Sequence, residues 1–410
     1  MFLFFFYFYI FSILILGSFS VGPYSIRVYM TVLMLVFLLL PKKDRNPYVI
    51  NKKFLVGYAF FIFLFAVALL LNGEYVKFEF NQLLLANYLN CFVTFFAIDY
   101  FIRDRNRLLG FVLFLCVIIL ADDIITYLQF IGNPIGKVVA LALTTSTESQ
   151  TEIADDAGVN LARIFGEGLP MGIFGHIFTN ANYLATFGLI ILGLIYSKKR
   201  RIKRGILFLC FAFTVYACFI TQERMAFFMF VVTSLYLFFT GNTTKYKKII
   251  MVSVIGVLLF VVIPSLILSS DDNIRIFTSN YKEDERGDIW AFAFTFIQEH
   301  FLLGGPVAYS NATSLAPHNF FLNAFIHAGL IGGVVAIILY LYSIVEATKL
   351  FLAKNSDLLR ATAGAVLVYS AICLFHNASI ISGDTLFFIL YPIMLKAAVM
   401  EKKGIQFCNV

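Results

Sequence analysis

Long runs of apolar residues recur along the whole chain, separated by short segments rich in charge, Gly, Pro or Asn. As helices, runs of roughly 15–20 residues approach the length needed to cross a hydrocarbon core about 30 Å thick. The runs are continuously apolar and lack the alternation of a membrane barrel, so each is expected to pair its backbone within a helix. Only 13 % of the residues are charged, against about 25 % in a soluble domain. The sequence therefore predicts an all-α integral membrane protein.

About twelve transmembrane helices are predicted from these runs, and together they form a single polytopic membrane domain covering residues 1–410. Several runs are short, so the helix ends are expected to differ from the predicted bounds by a few residues. The approximate spans are 2–19, 24–40, 54–71, 83–102, 108–127, 178–196, 205–221, 225–240, 249–268, 322–343, 361–377 and 384–398.

The positions of Lys and Arg predict how the chain is oriented. If the N-terminus is cytoplasmic, the segments on that side hold 23 of the 31 Lys and Arg residues. These segments are 41–53, 103–107, 198–204, 245–248, 346–360 and the three residues Lys396, Lys402 and Lys403. Basic residues concentrate in cytoplasmic loops, so both termini are predicted to be cytoplasmic. This asymmetry accounts for most of the net charge of +7, and no nucleic-acid partner is predicted.

Two long loops are predicted on the opposite side of the membrane, at 131–177 and 269–321. Loops of this length are usually functional or disordered. Both are acidic, with five and seven acidic residues respectively, and short helices are expected in the second. Their few basic residues are Lys137, Arg163, Arg275, Lys282 and Arg286. Membrane orientation does not require cations on this side, which makes them functional candidates.

Two further polar positions lie beside apolar runs on the same side. The turn TQERM (221–225) places Arg224 near the membrane interface, where an ionisable residue is a functional candidate. A snorkelling arginine, or one paired with Glu223, would explain it equally. His318 is expected on the first turn of a helix that returns into the membrane, and imidazole accepts protons near neutral pH. A helix-capping or packing role is the alternative.

Four motifs in the middle and last thirds of the chain occur in a fixed order: RIFG with the following NAN, then TQERM, then ERGDIW with the following GGP, then PHNFFLNAFIHAGLIGG. Together they resemble the O-antigen polymerase and O-antigen ligase superfamily of membrane glycosyltransferases, in particular the Wzy-type polymerases. The resemblance covers roughly residues 160–335 and the twelve-helix plan.

The resemblance implies an enzyme of the bacterial inner membrane that acts at the periplasmic face in surface polysaccharide or lipopolysaccharide biosynthesis. Such an enzyme transfers a glycan from undecaprenyl diphosphate, with no metal and no other cofactor. A polymerase passes it to the next lipid-linked repeat unit, which is the function favoured here, and a chain-length regulator protein is then a further expected partner. A ligase passes it to the lipid A core. A polysaccharide-lipid flippase and an inactive assembly subunit remain alternatives, although no internal repeat of a transporter is apparent.

The implied catalytic residues are His318, Arg286 and Arg224. Arginine binds diphosphate oxygens through its planar fork, and histidine suits the role of general base. The implied substrate-binding residues are Arg163, Asn180, Asn182, Asn319 and Tyr281. Each has a simpler alternative: Arg286 lies in a solvated charge run, Arg163 could pair with Glu167, and Tyr281 could belong to an interfacial aromatic belt.

Other polar residues receive weaker interpretations. His176 and His327 are secondary candidates for the base, and His300 and His376 have no supporting context in the sequence. The pair Asp122 and Asp123 is expected to end its helix at the interface, although its carboxylates could also hold sugar hydroxyls.

Overall fold

The computed structural model of the chain describes residues 2–17, 19–21, 24–40, 51–74, 87–148, 168–196, 204–241, 286–313, 316–353, 356–376 and 379–402. These residues are almost entirely α-helical, which confirms the predicted fold class. In the described residues, β-structure is limited to a hairpin of β1 (Ser20–Val21) and β2 (Tyr24–Ser25), with Val21 opposite Tyr24. The helices are α1 (Phe2–Ile15), α2 (Ile26–Leu39), α3 (Lys52–Leu71), α4 (Asn90–Phe101), α5 (Arg105–Phe130), α6 (Pro134–Glu148), α7 (Ile177–Tyr196), α8 (Arg204–Ile220), α9 (Arg224–Thr240), α10 (Arg286–Glu299), α11 (Pro306–Ala312), α12 (Phe320–Leu352), α13 (Asp357–Cys373) and α14 (Thr385–Lys402).

Several of these helices have the length and composition of membrane spans. By these criteria α3, α5, α7 and α12 are long and apolar enough to cross a membrane. Shorter apolar helices are α1, α2, the first part of α6, α8 and α9. Eleven of the twelve predicted spans overlap a helix, and the span 249–268 lies outside the described residues. The protein is thus a membrane protein with apolar helices, while the number of crossings stays a prediction.

The centre of the bundle is α7, which packs against α13, α8, α9 and α5. In its apolar stretch 89 % of the residues are buried, against 39 % in α3. Close helix approach uses small residues: a Cβ on Gly193 of α7 would lie 2.5 Å from the Cβ of Ala361 on α13. Helices such as α3 instead present large apolar side chains outwards, including Val56 and Phe63, as expected where lipid is the solvent.

A buried polar network joins four helices on one side of the bundle. The Asn90 amide oxygen accepts from the Tyr9 hydroxyl at 2.9 Å and from the Thr31 hydroxyl at 3.0 Å. Its amide nitrogen donates to the Thr385 hydroxyl at 3.0 Å, and Thr94 lies 2.8 Å from Tyr9. Because these groups are buried, the bonds that Asn90 makes to the hydroxyls of Tyr9, Thr31 and Thr385 hold α1, α2, α4 and α14 in one register.

Replacing Asn90 by leucine should therefore lower the stability of the bundle by about 1–2 kcal/mol, since it leaves buried hydroxyls without partners. The measurement is the thermal unfolding temperature of the purified protein in detergent. Thr295→Ala is the matched control, because Thr295 is exposed and bonds only to its own helix. An Asn90→Leu protein that unfolds at the wild-type temperature would show that the network does not hold these helices together.

Segments predicted to lie on one side of the membrane contact one another at one end of the bundle. Lys396 pairs with Asp99, and the Asn51 amide donates to Glu346 at 2.9 Å. Asn51, Glu346 and Lys396 belong to the segments predicted to be cytoplasmic, and Asp99 lies in the last turn of α4. This end is called the Asp99 end below, and the end opposite it the Glu223 end; their assignment to cytoplasm and periplasm is a prediction.

Helix α12 is broken near its start. Ala328 and Gly329 have non-helical backbone angles, and Gly329 has φ +61°. The ring of Phe320 stacks on that of Tyr340 at 4.2 Å, whereas twenty residues of a straight helix would separate them by about 30 Å. The segment 320–327 therefore folds back against the helix that follows. The predicted span 322–343 is wrong as one straight crossing, because the chain reverses within it.

The connection between α10 and α11 is bonded to this reversal. Leu330 N–H donates to the Phe301 carbonyl at 2.8 Å, and Gly305 N–H donates to the Ile326 carbonyl at 2.8 Å. Asn72, at the end of α3, adds a bond from its amide to the Gly304 carbonyl at 3.1 Å. The reversal is thus fixed on both sides by backbone hydrogen bonds.

Candidate functional site

The tight turn between α8 and α9 presents Arg224. Gln222 N–H donates to the Phe219 carbonyl at 3.0 Å, and Gln222 has φ +59°, which is uncommon outside glycine. Glu223 is the N-cap residue of α9, and Arg224 is its first residue and is exposed. A cation at a helix N-terminus opposes the helix dipole and costs about 0.3–1 kcal/mol. Its presence there indicates a use other than stabilising the helix.

The segment Pro317–Asn319 contains His318, the predicted base, and lies at the same end of the bundle as the α8–α9 turn. The Asn319 side-chain oxygen caps α12 by accepting from Phe321 N–H at 2.9 Å and Leu322 N–H at 3.2 Å. His318 precedes this cap, is half-buried and has φ +46°. It was predicted on the first turn of the helix, which is wrong, since the cap begins only after it. The left-handed backbone at a non-glycine residue is the kind of strain that surrounding structure must enforce.

Helix α10 is hydrogen-bonded to the segment Pro317–Asn319 through Trp290. The Trp290 indole nitrogen donates to the Pro317 carbonyl at 2.7 Å. Helix α10 begins at Arg286, so the backbone of Arg286 lies one helical turn from Trp290. The N-terminal turn of α10 and the His318 segment are therefore neighbours, although the motifs that contain them are 27 residues apart.

His376, just after α13, joins these segments to α7. It is buried, and its Nε2 lies 3.8 Å from Glu223 Oε2. Its ring is nearly perpendicular to that of His318, with 6.4 Å between centroids, and lies 4.6 Å from the ring of Phe178. No motif in the sequence contains His376. The structure gives it neighbours that no sequence pattern indicates, because it contacts the α8–α9 turn, the His318 segment and the start of α7.

Hydrogen bonds hold the segment Met171–Ile173, which precedes α7, against α5; this set of contacts is called the clamp. Ile173 N–H donates to Asp122 at 2.8 Å, and Gln129 Oε1 accepts from the N–H groups of Met171 and Gly172, both at 2.9 Å. Gly172 has φ +60°, and a Cβ there would overlap the Asp122 carboxylate. Asp122 thus holds the loop in place. The prediction that the aspartate pair ends its helix is wrong, because α5 continues to Phe130.

Asn180 belongs to the same clamp. Its amide fits best with the nitrogen donating to Asp122 and the oxygen accepting from Gly172 N–H at 3.2 Å and from Thr126 at 3.0 Å. It is fully buried, and protein groups satisfy it, which favours a supporting role over substrate contact. Asn182 is also buried, and within the described residues its side-chain oxygen has no hydrogen-bond partner. The clamp positions the start of α7, where Phe178 meets His376.

A second polar group lies near the ends of α2, α4 and α13. Arg27, in the first turn of α2, donates to the Asn87 side chain at 3.3 Å. Asp384 accepts from Tyr369 at 2.8 Å and from Leu386 N–H at 3.0 Å. Tyr369 lies on α13, two turns before His376. In the sequence, Arg27 is one residue of the predicted span 24–40. The structure places it near the polar residues around Asp384.

The predicted site residues fall into three groups. Arg224, His318, Asn319 and the backbone of Arg286 are brought together with Glu223 and His376 at the Glu223 end. Asn180 and Asn182 are buried side chains of α7 and do not belong to that group. Arg163 and Tyr281 lie outside the described residues.

These residues have a defined chemical capacity. Arginine and imidazole next to a single carboxylate are suited to binding anions and transferring a proton. Among the described residues, no group of three or more His, Cys, Asp or Glu side chains is placed to hold a metal ion.

The part of the chain that carries most of these groups matches a known family. Residues 209–337 match the family model Wzy_C, described as O-antigen ligase. No curated protein matches the chain. The matched region contains the α8–α9 turn, α10 and the start of α12, and so includes Arg224, Arg286 and His318. It confirms the resemblance to the O-antigen polymerase and ligase superfamily, while the clamp around Asp122 and the residue His376 lie outside it.

Proposed function

Taking residues 209–337 as a domain of the O-antigen polymerase and ligase superfamily, we propose that the protein is a polymerase of surface polysaccharide. It transfers the growing glycan from undecaprenyl diphosphate to the next lipid-linked repeat unit at the periplasmic face of the bacterial inner membrane. The observation that carries the proposal is the convergence of three separate segments at one end of the bundle. These are the turn with Arg224, the N-terminal turn of α10 and the segment with His318.

The reaction explains the residue types at this place. The acceptor hydroxyl oxygen forms a bond to the anomeric carbon, and its proton passes to His318. The bond between that carbon and the diphosphate oxygen breaks, and the electron pair leaves with the diphosphate. Negative charge grows on the leaving group, and Arg224 and Arg286 stabilise it as fixed cations.

The structure supports His318 as the base through the way it is held. The Pro317 carbonyl is fixed by Trp290, and the Asn319 cap fixes the other side. A base whose backbone is held on both sides is oriented before substrate arrives, which lowers the entropic cost of the transition state. A half-buried imidazole also remains open to an acceptor hydroxyl.

The membrane side follows from the charge pattern. Arg224 and His318 belong to segments outside the Lys- and Arg-rich set, so they are expected to face the periplasm. Lipid-linked oligosaccharide and membrane lipid are then the immediate partners, and a chain-length regulator is a further one.

An O-antigen ligase is the second candidate, and the description of the matched family favours it. Both enzymes use the same donor and the same diphosphate chemistry. They differ in the acceptor, which is a lipid-linked repeat unit for the polymerase and the lipid A core for the ligase.

Deletion of the gene distinguishes these candidates. In a polymerase mutant, gels of the surface polysaccharide should show core capped by a single repeat unit. A ligase mutant should show bare core and long glycan retained on the carrier lipid. A flippase mutant should retain repeat units on the cytoplasmic leaflet. A ladder unchanged by the deletion would overturn the polymerase and ligase proposals together.

Complementation then tests the base. His318→Gln should fail to restore the ladder at normal membrane levels, because glutamine accepts no proton from the acceptor. His300→Gln is the matched control, since His300 lies at the end of α10 and stacks on Phe296 at 4.2 Å. The control should restore the ladder. A full ladder from His318→Gln would remove His318 from the chemistry.

A further inference from the structure

We propose that His376 and Glu223 form a charged pair that positions His318 and governs how readily it accepts the proton of the acceptor hydroxyl. The inference rests on the proposed function for its chemical meaning. The electrostatic relation between the three residues can be measured without substrate.

The first support is the geometry of the pair. His376 Nε2 and Glu223 Oε2 are 3.8 Å apart, and the His376 side chain is 9 % exposed. A carboxylate this close to a buried imidazole favours the protonated ring. The pair is also bounded by Phe178, whose ring lies 4.6 Å from His376, so an apolar surface limits solvent screening on that side.

The second support is the position of His318 beside the pair. Its ring meets that of His376 edge to face, with 6.4 Å between centroids. When His318 takes the proton, it becomes an imidazolium. The Glu223 carboxylate stabilises that cation, and a protonated His376 repels it. The two members of the pair therefore act on His318 in opposite directions, and their balance sets its basicity.

Other charged and titratable groups stand on the elements around His376, and they are present in every variant below. They are Arg224 at the start of α9, His176 before α7, and Arg286 and Asp288 in the first turn of α10. Because they do not change between variants, differences in the behaviour of His318 report the pair alone.

A purely structural role for His376 makes a different prediction. If the ring only fills space against Phe178, then removing its charge should leave the protonation of His318 unchanged. His376→Phe keeps an aromatic ring against Phe178 without the charge, so it separates packing from electrostatics.

The experiment is a pH titration of the histidine ring signals by NMR, on the purified full-length protein with labelled histidine. The chain has five histidines, few enough to assign by single substitutions. Glu223→Gln should lower the pKa of His376, because that imidazolium loses the carboxylate that lies 3.8 Å away. His376→Gln and His376→Phe should raise the pKa of His318, because the repulsion from the protonated His376 is removed. Glu299→Gln, at the exposed end of α10, is the matched control and should not move it.

The outcomes are distinct. An unchanged pKa of His376 in Glu223→Gln, or a pKa of His318 that does not rise in the two His376 variants, would overturn the pairing. Should a variant fail to fold, Glu223→Asp keeps the charge on a shorter side chain and should lower the pKa of His376 less than Glu223→Gln does. The pH profile of polymerisation should follow, with its acid limb displaced to higher pH by the His376 variants. Titration shifts without any polymerase activity in wild type would sink the proposed function and leave the pair intact.

Discussion

Arg224→Ala should reduce the rate of glycan polymerisation about 10²–10³-fold, the loss that follows removal of one fixed electrostatic partner of a transition state. The structure makes this loss separable from misfolding. Arg224 is exposed at the first position of α9, where its charge opposes the helix dipole. Its removal should leave the thermal stability unchanged or raise it slightly. A fall in rate without a fall in stability is the expected combined result.

The measurement is the initial polymerisation rate in proteoliposomes supplied with lipid-linked repeat units from the deletion strain. Arg107→Ala is the matched control, because Arg107 is an exposed arginine near the Asp99 end, paired with Asp104 at 3.3 Å. Arg224→Lys should give an intermediate rate, since lysine keeps the charge and loses the planar fork. Wild-type rates for Arg224→Ala would exclude a role for this residue in the transition state.

Gly329→Ala should prevent the chain from reaching a stable fold. Gly329 has φ +61°, and a Cβ there would overlap the carbonyl of Leu302 and lie 2.6 Å from the nitrogen of Leu303. These are backbone atoms fixed by the bond from Leu330 N–H to the Phe301 carbonyl, so they cannot move aside as a flexible side chain would. The reversal in α12 must then open, and the His318 segment loses its support.

The readout is the yield of monodisperse protein in detergent and its unfolding temperature. Gly205→Ala is the control, because Gly205 lies in α8 with no atom within 4 Å of the added Cβ. It should behave as wild type or better, since alanine favours helix over glycine by about 1 kcal/mol. If Gly329→Ala matched Gly205→Ala in yield and stability, the reversal would not depend on this position.

The helices of this protein were largely predictable, because lipid demands continuous apolar runs and those runs are visible in the sequence. The reversal in α12 was not. The residues from 322 to 343 are as apolar as a straight span, and nothing in the sequence separates Gly329 from the nearby Gly332 and Gly333. Only the bonds from the α10–α11 connection distinguish Gly329 from its neighbours, and those bonds join residues whose pairing no local pattern specifies.

The site was predictable where a polar residue stands out beside an apolar run. Arg224 and His318 were identified in this way, and both lie at the Glu223 end. His376 was missed because it follows α13 at a point with no motif, and its neighbours come from α7, α9 and α12. Glu223 was considered only as a partner for the adjacent Arg224. Its contact with His376 depends on the packing of α13 against α9. The two residues are about 150 positions apart in the sequence.

The reversal in α12 also constrains how the protein is made. The segment 320–327 spans about 12 Å as a helix, less than half of a bilayer core, so it cannot be threaded across the membrane as an independent unit. It can settle only once the part of α12 that follows it is in place. His376 emerges from the ribosome after it, and the turn with Arg224 long before. The site is therefore completed only after α13 has been synthesised, and a chain made only as far as α10 holds Arg224 and Arg286 without His318 and His376.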